Sequence, residues 1–175
     1  MHIRNTVLRR LACIELEDDA SARRALGHFV VVGGGFSGVE VAGELVDCLA
    51  SIRRYYPRVA ADELRVTVLQ GLDRLLPELS PRLGVAALNS LRERGVDVRL
   101  MARATCITAD GVQLGDGEFI EGRTVIGTIG TAANPLLARL GLPLSGGRVV
   151  VAGDLSVPGY PGLWAVSDCA CVPNA

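Results

Sequence analysis

The sequence predicts an α/β fold: a parallel sheet with a small antiparallel meander, preceded by N-terminal helices. Two observations support this. Between residues 28 and 100, short apolar runs alternate with segments of helical spacing in the order β-α-β-α-β, which is typical of parallel sheets with right-handed crossovers. Beyond residue 100 the helical spacing stops, and Asp-Gly turn signals at 110–111 and 116–117 separate short strand-like runs, as in a meander.

The N-terminal residues predict two helices. Asp18 and Asp19 offer an N-cap for the second of them, and Gly27 offers its C-terminal stop. The first helix has one apolar stripe, formed by Ile3, Val7, Leu11 and Ile14.

The remaining helices and strands are predicted from helical spacing of apolar residues and from short apolar runs. Ser80 and Pro81 form a strong helix start, and Gly95 ends that helix, whose predicted buried stripe is Leu83, Ala87 and Leu91. A longer helix is predicted from Val39 to about residue 54. Strands are predicted at 29–32, 64–70, 96–100, 104–109, 112–114, 118–121, 124–129, 148–152 and 163–166, with a helical turn at 135–140.

The composition excludes several classes of function. The 175 residues include 18 basic and 19 acidic ones, so a net charge of −1 gives no sign of nucleic-acid binding. The most apolar run, 29–39, is too short to cross a bilayer, and arginines near the start leave no signal peptide. Five cysteines without a CxxC pair are typical of a reducing cytoplasm.

The most informative motif is the glycine-rich turn at 33–38, which fits GxGxxG. The pattern alone is weak, because about 0.3 chance occurrences are expected at this glycine content. Its context is stronger, because the turn leaves an apolar strand and opens a helix, as in Rossmann-like dinucleotide-binding domains of the FAD/NAD(P) type. Gly33 then allows the tight turn, Gly35 lets N–H groups approach a pyrophosphate, and Gly38 lets the helix pack closely. The predicted cofactor-binding residues here are Gly33, Gly34, Gly35, Phe36, Ser37 and Gly38.

Gln70 ends the second strand, where such folds place an acidic residue on the ribose. A neutral Gln70 can hydrogen-bond a ribose hydroxyl but would not repel a 2′-phosphate, and Arg74 could attract one. NAD is therefore favoured only modestly over NADP, and we expect Gln70→Glu to weaken NADPH more than NADH. Glu40, in the first helical turn, either pairs with the helix dipole or accepts a hydrogen bond from a nicotinamide carboxamide.

The segment 29–45 resembles the NADH-binding motif of type II NADH dehydrogenases, which are flavoproteins of the pyridine nucleotide-disulfide oxidoreductase superfamily. The resemblance continues through 75–77, 128–137 and 163–170, and residues 4–10 resemble the helix that precedes the nucleotide domain in that family. It thus covers nearly the whole chain.

This resemblance implies a function and further site residues. The hydride would pass from NAD(P)H to FAD and on to a quinone-type acceptor, with no protein residue acting as general base or nucleophile and no metal. Glu40 would lie near the nicotinamide, Gly130 would line the same cleft, and Asp168 matches an aspartate that binds FAD. The chain departs from the family pattern at Gln70, where Glu is usual, and at Ser167, where Gly is usual.

The resemblance also implies a domain organisation. We expect a helical segment at 1–27, an NAD(P)H-binding domain at 28–155, and the start of a returning FAD-domain segment at 156–175. Such enzymes have an earlier FAD-binding glycine motif and a later membrane-docking region, so the chain is interpreted as a piece that is inactive alone. FAD would be bound only in the full-length parent, which could lie peripherally on the cytoplasmic membrane face. The last strand would lack its sheet neighbours and would fray or pair in a homodimer.

Two other interpretations stay open. One is a freestanding NAD(H) sensor without turnover, and the other is the NAD domain of a ferredoxin or rubredoxin reductase. An upstream GxGxxG motif would favour an enzyme over a sensor. Cys169 and Cys171, two residues apart on a predicted strand, could form a redox pair or half of a metal site, although no third ligand is apparent nearby.

Overall fold

A computed structural model describes residues 2–130 and 132–173 of the chain. It divides into two compact units, residues 1–129 and 130–175. The predicted α/β fold is confirmed in the first unit, which contains a parallel sheet with flanking helices and a separate antiparallel sheet. Within the described ranges, no helix is both long and apolar enough to cross a membrane. The predicted domain boundaries at 27/28 and 155/156 stay predictions.

The elements of the first unit alternate as the sequence predicts, with shorter strands. Its helices are α1 (His2–Leu16), α2 (Ala20–Leu26), α3 (Phe36–Ile52) and α4 (Pro81–Glu93). Its strands are β1 (His28–Val32), β2 (Arg65–Leu69), β3 (Asp97–Arg99), β4 (Ala104–Ile107), β5 (Gly111–Leu114), β6 (Phe119–Glu121) and β7 (Thr124–Gly127).

The parallel sheet has the order β3-β2-β1-β7. Strand β1 pairs in parallel with both β2 and β7 and is buried along its whole length, as its run of β-branched residues predicts. Because the strands are parallel, their carboxyl ends share one edge of the sheet. That edge is where ligands bind in folds of this kind.

The helical segment is part of this unit's core. Helix α1 buries Val7, Leu11 and Ile14, while the predicted fourth member of its stripe, Ile3, is 42% exposed. Asp19 caps α2, because its Oδ1 accepts a hydrogen bond of 2.7 Å from the Ala22 N–H.

Arg23 of α2 joins this helical segment to the rest of the unit. Its guanidinium forms an ion pair of 2.5 Å with Glu63, and the Arg23 residue is only 9% exposed. The remaining N–H groups donate to the carbonyl oxygens of Ile14 at 2.6 Å, Glu17 at 2.8 Å and Arg58 at 2.6 Å.

Helix α4 packs on the predicted face at Ala87 and Leu91 but not at its start. Leu91 is buried, but Leu83 is 50% exposed, so its predicted place in the stripe is wrong. At the start of the helix, Gly84 instead faces the backbone of Leu75, and a Cβ at Gly84 would lie 2.6 Å from the Leu75 carbonyl oxygen. Leu83, one residue earlier, lies about 100° around the helix and faces solvent.

The predicted meander is confirmed. Strand β5 pairs antiparallel with β4 and with β6. Its side chains Val112 and Leu114 pack with Val30 and Val32 of β1, so the meander covers one face of the parallel sheet.

The second unit is small and mostly irregular. Its strands are β8 (Leu144–Ser145), β9 (Arg148–Val150) and β10 (Ala170–Cys171), with 3-10 turns at Leu137–Arg139 and Ser167–Cys169. The β8–β9 hairpin turns through Gly146 and Gly147, both with positive φ. Strand β8 was not predicted, although two adjacent glycines are a hairpin signal.

The predicted strand at 163–166 is wrong. Of these residues only Trp164 forms a β-bridge, an isolated one with Ser156. Turns with positive φ at Gly159 and Gly162 precede the run, and Ser167 at φ +61° ends it, so no ladder extends. The last strand is β10, which pairs in parallel with β9 and therefore has a sheet neighbour, contrary to expectation. Cys169 lies in a 3-10 turn and only Cys171 on this strand, so the two do not share a strand face.

Candidate functional site

The glycine-rich turn lies at the carboxyl end of β1. Gly33 has φ +114°, which is strained for any residue with a side chain, and its N–H donates to the Leu69 carbonyl oxygen at 2.9 Å. Gly38 faces back onto this turn from α3, and a Cβ there would lie 1.8 Å from the Gly33 oxygen. Both glycines therefore have the structural roles that the motif predicts, the tight turn and the close helix packing.

Gly35 differs from these two because nothing in the first unit crowds it. A Cβ at Gly35 would meet only the Glu78 Oε1 atom, at 4.0 Å, and the residue has an ordinary negative φ of −77°. Absence of a side chain is thus not required by the fold here. The open space beside Gly35 is where a pyrophosphate could approach the backbone.

The N-terminus of α3 presents unpaired donors to this space. Gly35 is the N-cap and makes no side-chain capping bond, and the first helical bond runs from the Val39 N–H to the Gly35 oxygen. Within residues 2–130 and 132–173, no acceptor is bonded to the N–H groups of Gly35, Phe36, Ser37 or Gly38. Such a row, at the positive end of a helix dipole, suits an anion.

Gln70 follows β2 and is buried, with 7% of the residue exposed. Its Oε1 accepts from the Gly34 N–H at 3.1 Å, and its Nε2 donates to the Arg74 oxygen at 3.0 Å. The side chain of Arg74 donates to the Pro77 oxygen at 2.7 Å. The sequence predicted Gln70 as a ribose contact and did not predict these two bonds.

A cleft of about 260 Å³ opens at this edge of the sheet and includes Gly33, Gln70, Gly71, Arg103 and Ile129 in its wall. Sequence reasoning missed Arg103, which is exposed and carries a positive charge. Its position a few residues after β3, a parallel strand of the same sheet, is the signal that could have found it.

The other predicted site residues are exposed. Phe36 and Ser37 open α3, whereas Glu40 is its fifth residue, so the predicted first-turn position of Glu40 is wrong because the helix begins at Phe36. Gly130, at φ +66°, and Asp168, in the 3-10 turn Ser167–Cys169, belong to the second unit. The first unit thus brings Gln70 against the glycine turn, while Glu40 lies on the helix that the turn opens. No group of three or more metal-ligating side chains occurs among the described residues.

Similar proteins point to one family. Residues 7–175 match the family model "Pyridine nucleotide-disulphide oxidoreductase". The chain is 31% identical to the type II NADH:quinone oxidoreductase NdhA of Mycobacterium tuberculosis over 99% of its own length and 39% of that protein. It therefore spans about two fifths of the length of this relative.

Solved structures agree on the fold. NDH2 of Plasmodium falciparum, determined in complex with NADH, matches 98% of this chain and 37% of that chain with a TM-score of 0.85 at 20% identity. A ferredoxin reductase of Rhodopseudomonas palustris matches 82% of this chain and 33% of that chain with a TM-score of 0.64 at 27% identity. With its Rossmann-like FAD/NAD-binding fold and a family match over nearly its whole length, the chain belongs to the pyridine nucleotide-disulphide oxidoreductase family.

Proposed function

We propose that this chain binds NAD(P)H through the glycine turn and serves a type II NADH dehydrogenase, in which hydride passes to FAD and then to a quinone. The observation that carries this proposal is the row of unpaired N–H groups from Gly35 to Gly38 beside open space at the N-terminus of α3. The name of the relative NdhA supports the class of reaction.

The residues of the chain would bind and orient the dinucleotide. The N–H groups of Gly35, Phe36 and Ser37 would donate to the pyrophosphate, and Gly38 would keep α3 close enough for them to do so. Glu40 would accept a hydrogen bond from the nicotinamide carboxamide. When bound, the nicotinamide supplies the hydride and the flavin accepts it.

Two residues of the second unit belong to the proposed set, in which Gly130 would contact the nicotinamide dinucleotide and Asp168 the flavin. The exposure of Asp168 leaves its carboxylate available to a hydroxyl of FAD. The parent enzyme would lie peripherally on the cytoplasmic face of a membrane, where quinones are found. In a homodimer, the second copy would pair at β10, which is an edge strand of its sheet.

A choice between NADH and NADPH would depend on charge near the ribose. The neutral Gln70 offers no carboxylate to repel a 2′-phosphate, and Arg103 lines the same cleft. We therefore propose that the chain binds both dinucleotides. The modest preference for NADH that we propose is supported by the name of the relative, a type II NADH:quinone oxidoreductase. A ferredoxin reductase is the second candidate parent, favoured by the 27% identity to the Rhodopseudomonas structure.

The variant Gly35→Val tests the proposal. Because a Cβ at Gly35 contacts nothing within the first unit closer than 4.0 Å, the variant should fold as the original chain does. The added side chain would occupy the space proposed for the pyrophosphate, so NADH affinity measured by calorimetry should fall at least roughly tenfold.

The matched control is Gly153→Val. Gly153 also has no neighbour within 4 Å of its Cβ position and no positive φ, but it is not part of the glycine motif. Its NADH affinity should equal that of the original chain. Equal affinities of all three proteins, or no NADH binding by the original chain, would reject the proposed site.

A further inference from the structure

The backbone of Gly34 is hydrogen-bonded on both sides to the segment that follows β2. Its N–H donates to Gln70 Oε1 at 3.1 Å, and its carbonyl oxygen accepts from the Leu76 N–H at 2.8 Å. The backbone N–H and carbonyl of Gly34 are therefore both satisfied inside the protein. Unlike the residues from Gly35 to Gly38, Gly34 has no free N–H donor to offer a phosphate.

The Gln70 carboxamide can fill its place in only one orientation. The Gly34 N–H can only donate and the Arg74 carbonyl can only accept, so the oxygen must face Gly34 and the nitrogen must face Arg74. The site thus needs one acceptor and one donor on the same side chain. An ionised glutamate offers acceptors alone and would oppose the Arg74 oxygen.

The absence of a side chain at Gly34 is explained by the same contact. A Cβ there would lie 2.6 Å from Leu75 Cδ2 and 3.0 Å from Gln70 Cβ. Gly34 therefore makes room for the 70–76 segment rather than for a ligand. Leu76, which bonds the Gly34 oxygen, adopts φ +49°, a conformation that costs a leucine energy and is sustained by its surroundings.

We propose that Gln70 is a positioning residue, whose carboxamide ties the glycine turn to the segment after β2 and so fixes the donors of Gly35 to Gly38 before a dinucleotide arrives. This proposal rests on the proposed function. It replaces the expected ribose hydrogen bond as the main role of Gln70, because the buried carboxamide is already engaged at both ends.

The variant Gln70→Glu separates the two roles through pH. Protonated glutamic acid can both accept from Gly34 and donate to Arg74, whereas the ionised form cannot donate. We compare the dinucleotide affinity of this variant with that of the original chain at the same pH. At pH 8 the variant should bind roughly tenfold more weakly. Its affinity should recover as the pH falls through the pKa of the introduced carboxyl group. A ribose contact predicts the opposite, because a carboxylate accepts from ribose hydroxyls best when ionised.

The probes are ADP-ribose and 2′-phospho-ADP-ribose, which carry the pyrophosphate and the adenosine ribose without the acid-labile dihydronicotinamide. In Gln70→Leu, which adds no charge, loss of positioning should weaken both probes equally, whereas loss of a ribose contact should change them unequally. Gln113→Glu is the matched control, since Gln113 also donates to carbonyl oxygens but lies on β5 of the meander. Its affinity for both probes should match that of the original chain.

Amide hydrogen exchange of Gly34 and Leu76, followed by NMR without ligand, measures directly whether the glycine turn stays hydrogen-bonded to the segment after β2. In Gln70→Glu the Leu76 amide should exchange roughly tenfold faster at pH 8 than at pH 5.5, relative to the original chain. Gln70→Leu, which can neither donate nor accept, should show fast exchange at Gly34 and weak binding at both pH values.

The outcomes distinguish this inference from the proposed function. If the original chain binds neither probe but the exchange pattern holds, the tie stands and the dinucleotide site is rejected. If ADP-ribose binds and Gln70→Glu strengthens it at pH 8, or if Gln70→Leu leaves exchange and affinity unchanged, Gln70 is not a positioning residue.

Discussion

Replacing Gly38 by alanine would force α3 away from the glycine turn. A Cβ at this position would lie 1.8 Å from the Gly33 oxygen and 2.9 Å from Thr128 Oγ1. Because Cβ atoms essentially never come within 3.0 Å of a neighbour, the helix or the turn must move by at least the 1.2 Å between 1.8 and 3.0. Neither contact can yield easily, since one is backbone and Thr128 Oγ1 is bonded to the Val32 oxygen at 3.0 Å. Overpacking of this kind costs about 1–3 kcal/mol.

The assay is urea unfolding followed by circular dichroism, with Gly43→Ala as the matched control in the same helix. A Cβ at Gly43 would come within 3.0 Å only of the Arg94 guanidinium, at 2.9 Å, which is the far end of a flexible side chain held by the Gly43 oxygen and Asp47. Alanine also favours a helix interior over glycine by about 1 kcal/mol. Gly43→Ala should therefore unfold within about 1 kcal/mol of the original chain. A Gly38→Ala chain as stable as the original, or a Gly43→Ala chain that loses as much, would refute the reasoning.

Two further predictions concern buried polar groups. Arg23→Met should lower the free energy of unfolding by roughly 3 kcal/mol, measured in urea, because it leaves the Glu63 carboxylate unpaired among buried groups; an unchanged midpoint would contradict this. Burial, helped by the charge of Arg65, lowers the pKa of His28 below its ordinary value. The unfolded chain then binds the extra proton more readily, so stability should fall as the pH drops below about 6.5. The His28→Gln variant should lose this component of the pH dependence in thermal melts at a series of pH values.

Much of the first unit could be predicted from the sequence because its signals are local. The run Phe29–Val32 is apolar without interruption, as a strand buried on both faces must be, and Asp19 and Gly27 mark the ends of α2 by their own chemistry. The place of Leu83 in the stripe of α4 could not be predicted locally, because Leu83 and Gly84 lie on adjacent faces and only the approach of Leu75 decides between them.

The remainder depends on contacts between distant residues. The apolar run at 163–166 is suited to a strand, but pairing needs a partner in register, and only Trp164 has one. At the site, the glycine motif was visible in the sequence, whereas the bonds from Gln70 to Gly34 and Arg74 depend on how the segment after β2 folds back. No spacing in the sequence specifies how the segment after β2 folds back onto the glycine turn.

The position of α1 has a consequence for anyone who shortens this chain. Arg10 donates to Thr124 Oγ1 at 3.0 Å and to the Arg123 oxygen at 2.5 Å, so α1 reaches the start of β7. A polypeptide trimmed to begin at residue 28 would keep the whole glycine motif and still lose this brace, together with Leu11 and Ile14 from the interior. The smallest stable unit that contains the glycine motif is therefore larger than the motif suggests, and the helices that precede the first strand must be expressed with it.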